Sequence, residues 1–206
     1  MVAMVAATMR SMFGGDGCGD EGSEDVWLRR PTRIEVVVCV LYKCIADASV
    51  KSGIPRSKTL SIMINMRKRI TTQLPHNSIG NFALQHFIPI SETDCSSLPS
   101  LLRTLQSSMM LIHERLLSPS ECMDRYSFSL KELAKKLNSE GFDTELLSTT
   151  SWCRLPFHDV DFGWGRPRWF SPPLRLAPGN GFVLWDTSDR SGIEVWITLR
   201  ECLVTL

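Results

Sequence analysis

Residues 151–169 read SWCRLPFHDVDFGWGRPRW. The run His158-Asp159-Val160-Asp161 could hold a metal or an acid–base pair, but its setting between Pro156 and Gly163 predicts a turn, with the carboxylates as caps. Gly163 and Gly165 permit positive φ, so the backbone can double back tightly, and the expected result is that Trp164 folds into a core.

Working outward, short strands are expected on both sides of this turn. Residues 144–151 precede it, and 180–186 and 192–199 follow it. The last two flank Thr187-Ser188-Asp189-Arg190-Ser191-Gly192, a turn-rich run that predicts a hairpin. Ile193, Val195, Ile197 and Leu199 alternate with Glu194, Trp196 and Thr198, as a half-buried strand requires. Farther upstream, Leu98, Leu101, Leu102, Leu105, Met109, Ile112 and Leu116 recur at three- and four-residue steps, the stripe of an amphipathic core helix. A second helix is expected from about Ser127 to Asn138, stopped at Gly141.

Order is expected to begin at Pro31. Thr32-Arg33-Ile34-Glu35 fits a capping box, and the run VVVCVLYKCIADASV behind it reads as a buried helix despite its β-branched content. Residues 58–66 read as a strand with Leu60, Ile62, Ile64 and Met66 on one face and Ser61 and Asn65 on the other. Pro75–Ser78 reads as a loop and Phe82–Ile90 as a second strand. Residues 1–30, Gly-rich and acidic over 11–25, are expected to be a flexible leader. Strands and helices mix without a strict βαβ rhythm, which predicts an α/β sandwich on a mixed sheet, built from residues 31–206.

Composition narrows the function classes. Of the 206 residues 43% are hydrophobic, and 23 basic residues stand against 22 acidic ones for a net charge of +1. No basic stripe for nucleic acid and no polybasic case for a membrane surface emerges from that balance. The seven cysteines are odd in number, scattered and without a Cys-x-x-Cys pair, which argues against a zinc site or disulfide framework and for reduced thiols in the cytoplasm. No apolar run is long enough to span a bilayer.

With Asp161-Phe162-Gly163-Trp164-Gly165 at its centre, the opening stretch resembles the DFGWG signature of the BAHD family of plant acyl-CoA-dependent acyltransferases. The Asp-Phe-Gly within it is also a protein-kinase triplet, but no Gly-rich phosphate loop, His-Arg-Asp loop or lysine strand accompanies it. Other blocks strengthen the family resemblance and occur in the right order. They are Pro31–Val37 with Tyr42-Lys43-Cys44, Asn65-Met66-Arg67-Lys68-Arg69, Leu74-Pro75 with Asn77–Asn81, Thr150–Phe157, and Gly165-Arg166-Pro167.

The resemblance implies a chloramphenicol acetyltransferase-like fold and one domain of the usual two, the C-terminal one. It implies acyl-CoA as co-substrate and a hydroxyl or amine of a specialised metabolite, such as an alkaloid, as acceptor. The family's Asp in the signature pairs with an Arg; for Asp161 the candidate partner is Arg67, with Arg69 second, because a buried unpaired carboxylate is costly. Arg154 is a candidate handle for an acidic acceptor. Thr150 and Trp152 lie in the same block, and Lys68 sits in the Asn65–Arg69 run that is a candidate for CoA phosphates. Scaffold roles compete with all of these.

Family catalysis uses a histidine base in a His-x-x-x-Asp motif. Four positions after His76, His86, His113 and His158 stand Gly80, Ile90, Leu117 and Phe162. The motif is absent, no catalytic residue is assigned, and the resemblance implies that an N-terminal domain carrying it is missing. Two further readings stay open: a non-catalytic remnant that binds CoA or a partner, and a self-sufficient hydrolase using His158 or Cys153.

Overall fold

The computed structural model describes residues 2–5, 29–53, 59–72, 74–75, 77–113, 117–140, 146–171 and 180–199. In chain order these form β1 (Val2–Val5), α1 (Arg33–Lys51), β2 (Thr59–Asn65), β3 (Ala83–Pro89), α2 (Leu98–His113), α3 (Pro119–Glu140), β4 (Leu146–Ser151), β5 (Asn180–Asp186) and β6 (Ile193–Thr198). One-turn 3-10 helices occur at Asp94–Ser96 and Phe157–Asp159.

The start of α1 is fixed by its capping box. The Glu35 N–H donates to the Thr32 hydroxyl at 3.2 Å and the Thr32 N–H to the Glu35 carboxylate at 2.8 Å. Two of the helix's four orphan donors are thereby satisfied, which holds a run of valines helical once their inner side is buried. Val38, Cys39, Tyr42, Ile45 and Ala46 form that side.

The second predicted helix, α3, starts eight residues before the expected Ser127, at Pro119. Ser118 and Glu121 cap each other's backbone N–H groups at 3.2 and 2.7 Å. The signal was legible as Ser-Pro-x-Glu, with Pro at the first helical position, where its missing N–H costs nothing. The expected stop at Gly141 lies outside the described residues.

The sheet is mixed, with strand order β1-β6-β5-β4-β2-β3. Strands β2, β4 and β5 run parallel, and β3, β6 and β1 join as antiparallel neighbours. One face carries Leu60, Leu147, Phe182, Leu184, Val195 and Ile197 into a core shared with α1 and α2. A smaller cluster of Ile64, Met66, Ile70, Leu84, Ile112, Leu117 and Cys122 sits where α2 ends and α3 begins. Burying each such aliphatic side chain is worth about 1.5–3 kcal/mol, so this face supplies most of the stability.

Two expectations need correction. Ser61, assigned to the outer side of β2, is 1% exposed, because Gln85 on β3 covers it and donates to its hydroxyl at 2.8 Å. The leader is not featureless either. Val2–Val5 forms β1, antiparallel to β6 from Val2↔Thr198 to Val5↔Val195. A sheet edge is a row of unpaired donors and acceptors, and an apolar tetrapeptide with valine at both ends is suited to fill it. The Gly-rich stretch 11–25 lies outside the described residues.

Candidate functional site

Because β2, β4 and β5 are parallel neighbours, the segments leaving their carboxyl ends emerge at one end of the sheet, where α/β sheets place ligand sites. Met63 pairs with Thr150 and Ser151 with Leu184. The Asn65–Arg69 run, the DFGWG stretch and the Thr187–Gly192 hairpin turn are thus brought to the same end by the topology.

The chain leaves β4 with the Trp152 N–H still donating to the Leu184 carbonyl at 2.7 Å. Arg154 then adopts φ 67°, a left-handed conformation uncommon for a residue with a side chain. Its N–H donates to the Asp186 carboxylate at 2.6 Å, which holds the bend. The Arg154 side chain is exposed.

Aromatic rings hold the returning segment on the sheet face opposite the helices. Phe157 stacks on Phe170 at 4.4 Å, Trp152 lies 5.8 Å from Phe157, and Phe170 meets Trp185 edge-on at 5.8 Å. Trp196 continues the chain of rings from Trp185 to Trp169. Pairs of this kind contribute about 0.5–1.5 kcal/mol each beyond their buried area. Trp185 is 1% exposed, and its indole N–H donates to Glu194 at 2.9 Å.

The DFGWG turn is held by its own backbone. One Asp161 carboxylate oxygen accepts from the N–H groups of Gly163 and Gly165 at 2.7 and 3.0 Å. Those two bonds, with a smaller pull from Arg166, hold the carboxyl below the usual Asp range. Gly163 and Gly165 take φ 104° and 107°, as the turn required. Trp164, however, does not enter the core. It is 83% exposed and stacks on Phe162, itself 73% exposed, at 5.7 Å. The reason is geometric: two positive-φ glycines reverse the chain on the outside of the aromatic layer that Phe157 and Phe170 already fill.

The expected Asp161–Arg67 ion pair is also replaced. Arg67 donates to the Gly80 carbonyl and Arg69 to the Asn65 carbonyl, at 2.5 and 2.6 Å. Asp161 is exposed and satisfied locally, so it needs no buried counter-ion. Asp159 is the carboxylate of this stretch that forms ion pairs, with Arg190 of the hairpin turn and, at 4.0 Å, with Arg166. Inside that hairpin turn Asp189 accepts from the Thr187 and Ser191 hydroxyls, which hold its pKa at about 2. Lys68 is exposed, while Thr150 and Trp152 are half-buried. Asp186 was not singled out from sequence, and Asp159 was read only as a turn carboxylate. The density of six aromatic residues between Trp152 and Phe170 was the available sign of a packed layer.

Among the described residues at this end, neither Cys153 nor His158 is set up as an activated nucleophile. Burial raises the Cys153 thiol, and the nearby Asp186 charge adds to the rise, opposite to what a reactive thiolate needs. His158 contacts the Asp186 backbone carbonyl at 3.3 Å, and its other nitrogen is buried without a partner, so no carboxylate steers it. His86 is bonded to Ser108 on the helix side of the sheet, away from this end.

The Transferase family model matches residues 19–204. Over 180 residues the chain is 38% identical to akuammiline synthase 1 of Alstonia scholaris, covering 84% of this chain and 41% of that protein. Vinorine synthase of Rauvolfia serpentina is 31% identical over 82% of this chain and 38% of its own length. The crystal structure of vinorine synthase superposes with a TM-score of 0.66 at 27% identity, over 86% of this chain and 40% of that one. The fold is shared with F. graminearum TRI101, solved with ethyl coenzyme A, at a TM-score of 0.60 and 14% identity, over 84% of this chain and 39% of that one. The chain therefore spans about 40% of the length of the relatives it matches.

Proposed function

This chain belongs to the Transferase (BAHD) family of acyl-CoA-dependent acyltransferases, and from that premise we propose that it forms part of an enzyme that moves an acyl group from acyl-CoA to a hydroxyl or amine of a plant specialised metabolite. The observation that carries this reading is the family match across residues 19–204, with the DFGWG turn formed at the carboxyl end of the parallel strands.

In this reading the chain supplies binding walls rather than the base. Arg154 presents an exposed guanidinium from a clamped bend, suited to a carboxylate on an acidic acceptor. Thr150 and Trp152 flank it on the acceptor side. Lys68 stands between two arginines whose side chains are tied to backbone carbonyls, which supports it as the cation of that run for CoA phosphates. Asp161 with Phe162, Gly163, Trp164 and Gly165 shapes the loop and touches no reacting atom. The proton from the attacking hydroxyl goes to a histidine outside these 206 residues, since no His-x-x-x-Asp occurs among them.

The test is to measure CoA release from acyl-CoA with a panel of alcohols and amines, for the chain alone and co-expressed with an acyltransferase N-terminal domain carrying His-x-x-x-Asp. Turnover is expected only with both present. Losing a general base costs about 10²–10⁴ in rate, and losing positioning costs more. Turnover by the chain alone, abolished by His158→Ala, would overturn the proposal. No turnover in any combination, with CoA still bound, would favour the second reading, a CoA- or partner-binding remnant; the missing motif is the observation on its side.

A further inference from the structure

We propose that the outer edge of β6 is a strand-acceptor site whose occupant, the Val2–Val5 strand, exchanges between two copies of this chain. β6 reads IEVWIT, with four β-branched residues and no Pro or Lys. Edge strands that avoid pairing with other chains normally carry such blocking features. The single charge, Glu194, accepts from the Trp185 indole and stands outside the β1 register, which spans Val195 to Thr198. The other sheet edge differs: β3 ends at Pro89 and packs against α3.

The occupant of the β6 edge is short. β1 has four residues, and positions 6–32 separate it from α1. Four ladder residues give few hydrogen bonds against the entropy of ordering them, so the cis pairing is weakly held. Arg29 is anchored, its carbonyl accepting from Gln106 and its guanidinium pairing with Glu35, so 23 positions (6 to 28) lie between β1 and the next described residue, a length of chain that at roughly 3.3 Å per residue can exceed the width of one sheet. The same tetrapeptide from a second copy makes an identical ladder, Val2↔Thr198 through Val5↔Val195, so cis and trans pairing differ only in effective concentration.

A fluorescent nonapeptide of residues 1–9 tests this against two full-length proteins, the native chain and an A3P/M4P variant. Ala3 and Met4 are adjacent, so one of their N–H groups faces β6 whatever the ladder phase, and proline at both removes it. Polarisation should show the peptide binding the variant measurably tighter than the native chain, whose edge its own strand competes for, and a peptide carrying the same prolines should bind neither. In sedimentation the native chain should form dimers as its concentration is raised and the variant should stay monomeric. Equal binding to both proteins, or no binding to the variant, overturns the proposal. So does a variant that loses the near-ultraviolet signal of its tryptophans, since the acceptor edge must survive empty.

Discussion

Arg154 and Asp186 lie 32 residues apart, yet the backbone N–H of the first donates to the carboxylate of the second at 2.6 Å. With the Leu155 N–H donating to the Trp152 carbonyl at 3.2 Å, this bond holds a left-handed bend just past β4 and offsets the steric cost of φ 67° at a residue with a Cβ. Asp186→Ala should destabilise the chain by about 1–2 kcal/mol, as expected for a partly exposed hydrogen bond to a charged group, and Asp186→Asn by less than half of that. Urea unfolding of the two variants reads the difference. Arg154→Gly should relieve the strain and leave stability unchanged or slightly raised, and a loss as large as that of Asp186→Ala would show that the bend is not strained.

Asp161 gives a pH signature. Its folded pKa lies below the unfolded value, so its contribution is complete above the ordinary Asp range and is lost as pH falls through the lower folded value. The amide resonances of Gly163 and Gly165 should titrate together with a midpoint below the usual Asp value, and Asp161→Asn should abolish the transition. Separate midpoints for the two amides would refute a shared acceptor.

The glycines in that turn act by conformation rather than space. An added Cβ at Gly163 or Gly165 would touch nothing within 4 Å, but both stand at positive φ. Alanine at either should cost about 1–2 kcal/mol, measured by thermal or urea unfolding, and a neutral result would show that the turn adopts another form.

His86 runs in the same direction on pH. Burial between β3 and α2 lowers its pKa, the bond to Ser108 opposes this, and the Arg125 charge adds to the lowering. The unfolded chain therefore binds the proton more readily. Stability is full above the unfolded value near 6.5 and declines as pH falls toward the lower folded value. Unfolding midpoints between pH 7.5 and 5 should fall, and His86→Gln should flatten that slope.

Gln106 and Leu105 are neighbours on α2 with opposite expectations. Both are buried, and the Gln106 Nε2 donates to the Arg29 carbonyl at 3.1 Å while its Oε1 has no partner. Gln106→Met removes an unsatisfied acceptor and should change stability by less than about 1 kcal/mol, whereas Leu105→Ala opens a cavity and should cost about 2–5 kcal/mol.

The elements themselves were legible in the sequence because their causes are local. Thr32 and Glu35 lie three positions apart, the leucines of α2 recur at helical spacing, and the alternation of Ile193–Thr198 needs no other strand to be read. Two glycines flanking Trp164 were enough to predict positive φ. What the same letters left undecided was where Trp164 points and which partner takes each charge. Asp161 was matched with Arg67 on the assumption that it is buried; it is exposed, and its own turn satisfies it. Ser118-Pro119-Ser120-Glu121 carried the start of α3 in plain view and went unread.

By itself, then, the sequence determined the family, the mixed α/β class and the turn at 161–165, since each follows from residues a few positions apart. The tertiary structure alone decided that Asp186 holds Arg154, that Asp159 bridges to Arg190, and that Val2–Val5 lies along β6. Those contacts join residues 31 to more than 190 positions apart, and which of many possible partners meet is set by the packing of the whole sheet rather than by any local preference.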